Sequence, residues 1–534
     1  MKGSDTMIHV YRPNHERNVF YRFPLNHTTI FAHKKTNLHF SFFQDLVSLL
    51  DENINQILNN MKRILFAIAF LTVCVFHIQA QQAKYVFYFI GDGMGVNQVQ
   101  GTEMYLSELK GEIGITPLLF TQFPYSTIAT TFSATNGVTD SAAAGTALAT
   151  GNKTKNGALG VKKDLTTEIG SIASWAKDNG YRVGISTSVS IDHATPAAFY
   201  AHQGSRSSYY NIGLDLIEAN YDFYSASDFL DPTHASAKDG KTYESLYDLT
   251  QKAGFTLARG YKDYLKKSKK AEKMILFQSE EASEKDRSGI PYAIDRKKGD
   301  LSLAEITRAG INFLTKNNDK GFFFMVEGGK IDWACHSNDG ATVFQEVIDL
   351  DEAIKVAYEF YAQHPDETLI VVTADHETGG IAIGTGSYSL NLQALKAQKV
   401  SEGGFTRIIN GLRKKYKNQA PWEAVQQALK ENFGFWDTIK LNEKQEARLK
   451  AIYDKSFGNQ PVALEKSEYQ QDEPLAAEAK RILNSIATVG WTSGGHSAGY
   501  VPVFAIGANA QLFQERMDNT EIPGKIAEAA GYKH

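Results

Sequence analysis

The chain has 534 residues, of which 43% are hydrophobic and 22% charged, as in an ordinary globular protein. The formal net charge of −4 at pH 7 excludes a nucleic-acid-binding protein that depends on a basic surface, and we expect no nucleic-acid partner. The longest basic stretch, residues 262–273, contains Asp263 and Glu272 and is typical of a solvated helix face.

The first sixty residues differ in composition from the rest of the chain. They contain one glycine, Gly3, out of 43, and they show almost no helical or strand periodicity. We interpret residues 1–60 as a spurious N-terminal extension or a disordered tail, with translation starting at Met61. The alternative is a cytoplasmic tail in front of a signal anchor.

Residues 61–80 have the pattern of a secretory signal peptide. Lys62 and Arg63 precede an apolar run over 64–76, and the small Ala80 comes before Gln81. The run is too short to cross a bilayer comfortably, so we expect no stable membrane span. The pattern therefore predicts export to the periplasm or to the cell exterior.

The chain has two cysteines, Cys74 and Cys335. Removal of the signal peptide would remove Cys74, so the mature chain would have no intramolecular disulfide and would depend on its hydrophobic core. A lipid anchor on Cys74 is disfavoured, because the bulky Val73 stands where a lipoprotein signal has a small residue.

Apolar strands alternate with amphipathic helices along residues 81–534, which we expect to form a single catalytic domain. Strands are predicted at 84–90, 182–186, 274–277, 322–326, 368–373 and 501–506, and helices at 168–178, 303–316 and 343–361. This alternation predicts an α/β fold, doubly wound, with a mostly parallel central sheet and helices on both faces. The segment 385–480, rich in Lys, Gln, Glu and Ala, predicts a largely helical insertion in that domain.

Acidic and imidazole side chains follow three of the predicted strands. Asp92 follows the first strand, Glu327 follows FFFMV, and Asp375 and His376 follow LIVVTA. In open α/β sheets, ligands bind at the carboxyl ends of the strands. Each residue alone is explained as a turn carboxylate, but the three positions together favour a ligand site.

A further pair, Asp332 and His336, is spaced four residues apart in IDWACH. In a helix this spacing puts both side chains on one face, where they could bind one zinc ion. The pattern is weak alone, and Glu327 and the downstream His496 strengthen it. Ser141 precedes an Ala-rich run, which predicts a serine at a helix N-terminus, where anions are favoured; the alternative is an N-cap serine.

Six motifs in this order resemble the alkaline phosphatase family. They are GDGMG at 91–95, TDSAAAGTALATGNKTKNGALG at 139–160, DHATPAAFYAH at 192–202, VEGGKIDWACH at 326–336, VTADHETGG at 372–380 and SGGHSAG at 493–499. The resemblance extends from about Lys84 to Gly507, with gaps. It implies the hydrolysis of small-molecule phosphate monoesters through a phosphoserine, with two zinc ions and one magnesium ion as cofactors.

The resemblance also implies a role for each matching residue. The ligands of the first zinc would be Asp332, His336 and His496; those of the second would be Asp92, Asp375 and His376, with Ser141 as an exchangeable ligand; those of magnesium would be Asp92, Thr195 and Glu327. Arg206, eleven residues after Thr195, stands where the family has its phosphate-binding arginine. A planar guanidinium can bind two phosphate oxygens.

Two positions beside these ligands depart from the best-known bacterial pattern. His193 replaces an aspartate and Trp333 replaces a lysine, an arrangement that resembles other members of the family. Because imidazole favours zinc over magnesium, His193 predicts loose magnesium binding or zinc at the third site. Cys335 lies between two expected zinc ligands, and we expect it to be a packed, unreactive cysteine.

Several other functions are disfavoured by particular features of the sequence. Sulfatases need a different local motif, and the related phosphodiesterases generally lack Thr195, Glu327 and Arg206 together. Phosphoglycerate mutases of similar fold are cytoplasmic proteins, so the predicted signal peptide disfavours them. A non-catalytic metal-binding or phosphate-binding protein would be expected to lack Ser141 or a zinc ligand. Homodimers are usual in the family, so we expect a homodimer, with a monomer as the alternative.

Overall fold

The computed structural model describes residues 48–64 except 52 and 55, and residues 82–386, 388–458, 464–469 and 471–533. The chain divides into two compact units, Met1–Gln79 and Ala80–His534. In the first unit, the described residues between 48 and 64 are helical and exposed. The predictions for residues 1–60 and for the signal peptide at 61–80 fall mostly outside the described residues. Within the described residues, no helix has the length and apolar character needed to cross a bilayer.

The second unit contains the strands and helices that build the site. The strands are β1 (Tyr85–Gly91), β2 (Tyr125–Thr130), β3 (Arg182–Thr187), β4 (Phe223–Ala226), β5 (Phe255–Arg259), β6 (Lys273–Phe277), β7 (Phe322–Gly328), β8 (Thr368–Thr373), β9 (Glu377–Thr378), β10 (Ala382–Ile383), β11 (Glu465–Lys466), β12 (Gln471–Asp472), β13 (Val489–Gly490), β14 (His496–Ser497), β15 (Val501–Gly507) and β16 (Met517–Asp518). The helices are α1 (Val96–Leu109), α2 (Ser141–Thr150), α3 (Ile172–Asp178), α4 (Ala194–Ala197), α5 (Tyr209–Ala219), α6 (Leu246–Lys252), α7 (Tyr261–Lys267), α8 (Glu280–Lys285), α9 (Leu303–Leu314), α10 (Lys330–His336), α11 (Gly340–Tyr361), α12 (Glu402–Lys415), α13 (Trp422–Phe433), α14 (Glu443–Ser456), α15 (Pro474–Ile486) and α16 (Glu521–Ala530). Short 3₁₀ turns lie at Phe120–Gln122, Leu392–Ala397 and Ala510–Phe513.

Ten of these strands form one sheet in the order β16-β2-β15-β8-β1-β7-β3-β4-β6-β5. All neighbours from β8 to β5 are parallel, whereas β15 runs antiparallel to both β8 and β2. The predicted mostly parallel α/β fold is confirmed, and all six predicted strands are present. The strands β2, β4, β5 and β16 were not predicted from the sequence. β4 and β16 are very short, and most residues of β2 are only half-buried, so each lacks a continuous apolar run.

The core is built around β1 and β7, in which every residue is buried. Aromatic side chains from the two strands pack edge to face: the ring centroids of Phe87 and Phe322 are 5.1 Å apart. The predicted helix at 168–178 begins only at Ile172, because the Ser171 hydroxyl accepts a hydrogen bond from the Ser174 N–H and caps the helix there. Such continuous burial makes the centre of the sheet a rigid support for the residues at its edge.

The register of the central strands aligns their carboxyl ends. Ile90 on β1 pairs with Glu327 on β7 and with Thr373 on β8, and Thr187 at the end of β3 also pairs with Glu327. Asp92 follows Ile90 by two residues. The sheet therefore carries the polar residues predicted at the ends of these strands to one edge.

The segment 385–480 is largely helical in its described part, as predicted. Helices α12, α13 and α14 are followed by the two-stranded hairpin of β11 and β12 and then by α15. A partly buried ion pair fastens the end of the hairpin to α12: Arg413 Nη2 lies 2.6 Å from Glu473 Oε1. Glu473 also caps α15 by accepting a hydrogen bond from the Leu475 N–H. The hairpin is thus anchored where its second strand meets α15.

Candidate functional site

Asp332, His336 and His496 form a first cluster at the carboxyl edge of the sheet. Asp332 and His336 lie one turn apart on α10, as their spacing predicts, with Asp332 Oδ2 3.3 Å from His336 Nε2. His496 comes from β14, and its Nε2 lies 3.2 Å from His336 Nε2. One ligand atom from each residue falls within 4.8 Å of the others. The cluster therefore has the composition and compactness of a metal-binding site.

A second cluster consists of Asp92, Asp375 and His376, all fully buried. His376 Nε2 lies 3.4 Å from Asp92 Oδ1 and 3.3 Å from Asp375 Oδ2. The backbone N–H of Gly93 donates to Asp375 Oδ1 across 3.2 Å. Gly93 has φ of +71°, and a Cβ at this position would lie 2.9 Å from the Asp332 Cα. The turn after β1 therefore needs a glycine for the two clusters to lie this close.

A third cluster joins Asp92 to Glu327 and His193. Glu327 accepts a short hydrogen bond from the Thr187 hydroxyl at the end of β3. Thr195, on the short helix α4, is buried, and its hydroxyl lies 3.5 Å from Asp375 Oδ2. Asp92 thus belongs to both the second and the third cluster, and His193 contributes a possible ligand atom of its own.

In the first two clusters, the Nδ1 atom of each imidazole ring contacts an oxygen atom outside its own cluster. His336 Nδ1 lies 2.7 Å from the Gly494 carbonyl oxygen, and His496 Nδ1 lies 2.8 Å from that of Thr139. Because a carbonyl oxygen only accepts hydrogen bonds, Nδ1 carries the proton in both rings, and the lone pair of Nε2 points into the cluster. His376 Nδ1 lies 3.2 Å from the Thr378 hydroxyl. All three rings are therefore oriented to bind a metal through Nε2.

The charges in these clusters also fit divalent cations. Neither carboxylate oxygen of Asp92 has a hydrogen bond, and the same is true of Glu327 Oε1, although all three atoms are buried. Burial, together with the negative charge of a neighbouring carboxylate, raises the pKa of Glu327 to about 8 and that of Asp375 to about 7. Burial and the adjacent Asp375 likewise raise the pKa of Asp92. Buried carboxylates that are so poorly compensated would be stabilised by bound cations.

Ser141 is the first residue of α2 and is fully buried. The interpretation of Ser141 as an N-cap is wrong, because Asp140 caps the helix by accepting a hydrogen bond from the Ala143 N–H across 3.0 Å. The Ser141 hydroxyl is therefore available for other contacts, and its Oγ lies 3.3 Å from His376 Nε2. This places the hydroxyl beside the second cluster and at the positive end of a ten-residue helix.

The guanidinium of Arg206 is held by contacts on both of its amino groups. Nη1 donates to Asp140 Oδ2 across 3.3 Å, and Nη2 lies 3.3 Å from His193 Nε2. Since Asp140 also caps the helix that begins with Ser141, the same carboxylate positions the arginine and the serine. Arg206 therefore contacts the residue that directly precedes Ser141.

Three residues at the site were missed by sequence reasoning. Thr378 lies within the motif VTADHETGG but has no distinctive spacing, and Glu468 and Tyr469 lie in the insertion, where no pattern singles them out. Glu468 Oε2 lies 3.5 Å from His336 Nε2, and the ring of Tyr469 stacks on Trp333. No sequence signal could have placed the last two at the site, because their approach depends on the path of the insertion.

Cys335 is packed as expected. It is fully buried, and its Sγ lies 3.8 Å from the Gln98 Nε2. Burial and the nearby Asp332 raise the pKa of the thiol, which keeps it protonated and unreactive.

Comparison with known proteins gives consistent results. The sequence profile of the family described as alkaline phosphatase matches residues 83–226 and 219–532. Alkaline phosphatase 3 of Bacillus subtilis (strain 168) is 33% identical over 464 residues, which cover 84% of this chain and 90% of that protein. The cold-active alkaline phosphatase of Shewanella sp. has a similar structure, with a TM-score of 0.69 and 28% identity over 84% of this chain and 99% of its own. A variant of the alkaline phosphatase of the Antarctic bacterium TAB5, in which aspartate replaces a histidine and magnesium is bound in the M3 site, matches with a TM-score of 0.59 and 25% identity, covering 85% of this chain and 100% of its own.

Proposed function

This chain belongs to the alkaline phosphatase family, and we propose on that premise that it releases inorganic phosphate from monoesters through a covalent phosphoserine at Ser141. The protein is a metal-dependent phosphomonoesterase, as its relatives are. One observation carries the assignment of the nucleophile: the Ser141 hydroxyl, free of any capping role, lies 3.3 Å from a nitrogen of the second cluster. Asp140, which precedes the serine and caps its helix, also contacts Arg206.

The three clusters suggest how the cofactors would be held. Zinc would bind to Asp332, His336 and His496, and a second zinc to Asp92, Asp375 and His376; magnesium would bind to Asp92, Glu327 and Thr195, next to His193. Imidazole and carboxylate ligands suit zinc, and oxygen ligands suit magnesium. Bound divalent cations would supply Lewis-acid stabilisation of the oxygens that attack and leave the phosphorus atom.

The chain's own residues bind and orient the phosphoryl group. Ser141 Oγ attacks phosphorus from the N-terminus of α2, where the helix dipole favours the anionic substrate. The planar guanidinium of Arg206 donates hydrogen bonds to two non-bridging oxygens of the phosphoryl group. This aligns the ester for in-line displacement. Asp140 caps the helix that begins with Ser141 and also contacts Arg206, which links the two residues. These contacts recognise the phosphoryl group and not the alcohol, so we expect a broad range of monoesters.

The first experiment compares kcat/KM for p-nitrophenyl phosphate and for its bis-ester, using the purified enzyme loaded with zinc and magnesium. A strong preference for the monoester supports the proposal. Ser141→Ala should abolish turnover and acid-stable phosphate labelling while leaving the metal content unchanged. A preference for the diester would contradict the role of Arg206, and cleavage of neither substrate would favour a non-catalytic metal-binding or phosphate-binding protein.

The location and assembly of the enzyme are also proposals. The pattern at residues 61–80 supports cleavage after Ala80 and export to the periplasm or the cell exterior. N-terminal sequencing of exported protein tests this: a start near Gln81 is expected, and any peptide from residues 1–60 would contradict it. We expect a homodimer because homodimers are usual in the family. Light scattering of the purified protein distinguishes a homodimer from a monomer.

A further inference from the structure

The hairpin of β11 and β12 brings two consecutive side chains of the insertion into the metal-ligand clusters. Glu465 pairs with Asp472 and Lys466 with Gln471, so Glu468 and Tyr469 lie at the turn of the hairpin. Glu468 Oε2 approaches His336 Nε2 of the first cluster to 3.5 Å, whereas Tyr469 reaches the opposite side, towards Arg206. The turn therefore spans the distance between the first cluster and the proposed phosphate-binding residue.

Aromatic contacts hold the ring of Tyr469 in place. It stacks on Trp333 with a centroid distance of 4.9 Å and an angle of 17° between the planes. Its centroid is 5.7 Å from that of His193 and 5.4 Å from that of His336, with both imidazoles steeply inclined to it. Contact with three rings restricts the rotation of the side chain, so the hydroxyl has a defined position.

That hydroxyl contacts the guanidinium of Arg206. Arg206 Nη2 donates to the Tyr469 Oη across 3.3 Å, while Nη1 donates to Asp140 Oδ2. Because arginine can only donate, the tyrosine oxygen is the acceptor and its own proton remains available to a phosphate oxygen. Arg206 is therefore restrained from both sides, by a carboxylate and by a phenol.

We propose that Tyr469 is a positioning residue for phosphate binding: its hydroxyl holds the guanidinium of Arg206 in the plane that receives the phosphoryl oxygens, and the stack on Trp333 holds the hydroxyl. This inference rests on the proposed function of Arg206. It gives the insertion a role in the binding of substrate and product, through a residue that lies outside all six family motifs.

The test uses the holoenzyme and inorganic phosphate as the probe. Tyr469→Phe removes the hydroxyl and keeps the ring. We expect the inhibition constant of phosphate and the KM for p-nitrophenyl phosphate to rise about tenfold, as for the loss of a hydrogen bond to a charged group, with kcat changed less than about threefold. Calorimetric titration of phosphate into the variant should show the same loss of affinity. Tyr388→Phe, the same change on a fully exposed tyrosine of the insertion, is the matched control and should behave as wild type.

A double-mutant cycle separates positioning from a general structural effect. In an Arg206→Ala background, Tyr469→Phe should cause no further loss of phosphate affinity, because its effect acts through the arginine. A wild-type phosphate affinity in Tyr469→Phe overturns the inference, and so does an equal tenfold loss in the Arg206→Ala background. If the wild-type holoenzyme fails to cleave the monoester, the proposed function is at fault; if it cleaves the monoester and Tyr469→Phe is indistinguishable from it, only the inference fails.

Discussion

The hydroxyl of Thr378 donates a hydrogen bond to Asp332 Oδ1 across 2.5 Å, and so connects strand β9 to helix α10. The same hydroxyl lies 3.2 Å from His376 Nδ1, which can donate to it. One side chain thereby orients a ligand of the first cluster and a ligand of the second. It also fixes the proton of His376 on Nδ1, leaving Nε2 free to bind a metal.

Replacing Thr378 by valine should therefore weaken metal binding at both clusters. The shape is nearly kept, but Asp332 loses a donor and His376 loses an acceptor. Loss of such an outer contact lowers metal affinity by about 10- to 100-fold. The rate of zinc loss to a chelator measures the effect. Thr378→Ser keeps the hydroxyl and should restore retention, whereas equal zinc loss in both variants would contradict the bridging role.

Arg206→Lys tests whether the planar shape of the guanidinium matters in addition to its positive charge. Lysine keeps the positive charge but cannot bind two phosphate oxygens in one plane, nor contact Asp140 and Tyr469 together. We expect kcat/KM for p-nitrophenyl phosphate to fall at least about tenfold, the loss of one charge-assisted hydrogen bond. Steady-state kinetics check this, and a variant with unchanged kcat/KM would show that charge alone suffices.

His193→Asp should change the metal at the third cluster. An imidazole beside Asp92 and Glu327 favours zinc, and a carboxylate favours magnesium. We expect the variant to retain more magnesium than wild type after dialysis against equal zinc and magnesium, as measured by elemental analysis. His364→Asp, at a half-buried histidine outside the three clusters, controls for the added charge. Full magnesium occupancy in the wild-type protein with zinc in excess would contradict the prediction.

We expect folding stability to depend on pH through Glu346. Burial and the nearby Asp349 raise its pKa to about 7, and its Oε1 accepts a hydrogen bond from the Ala293 N–H. Because the folded-state pKa is raised, the stability this group contributes is complete below its unfolded pKa of 4.5 and is lost as the pH rises through about 7.

The variant Glu346→Gln has no proton to lose at this position. We expect its melting temperature, relative to that of wild type, to increase between pH 5 and pH 8 at constant metal concentration. Differential scanning calorimetry of the two proteins measures this difference. Parallel profiles over that range would show that Glu346 does not titrate as its burial indicates.

The sequence by itself determined the centre of the sheet. Strands β1, β7 and β8 are continuous apolar runs. A strand that is buried on both faces of a sheet needs such a run at any position in the sheet. Glu327 lies at the carboxyl end of β7, and Asp92 and Asp375 follow β1 and β8 within two residues, so parallel pairing was enough to predict that these residues meet. The helical spacing of Asp332 and His336 likewise predicted one shared face.

Only the tertiary structure decided the contacts that join distant segments. Asp140, and not Ser141, caps α2, because the backbone at the helix start puts the aspartate in the extended conformation of an N-cap. Thr378 became a bridge only because Gly93 lets β1 and α10 approach closely. Tyr469 is 263 residues from Arg206 in the sequence. It contacts the arginine because Glu473 anchors the hairpin that carries it. The local pattern of apolar and polar residues shows which face of a helix or strand a residue occupies. Contacts between residues so far apart in the sequence depend instead on how the whole chain packs.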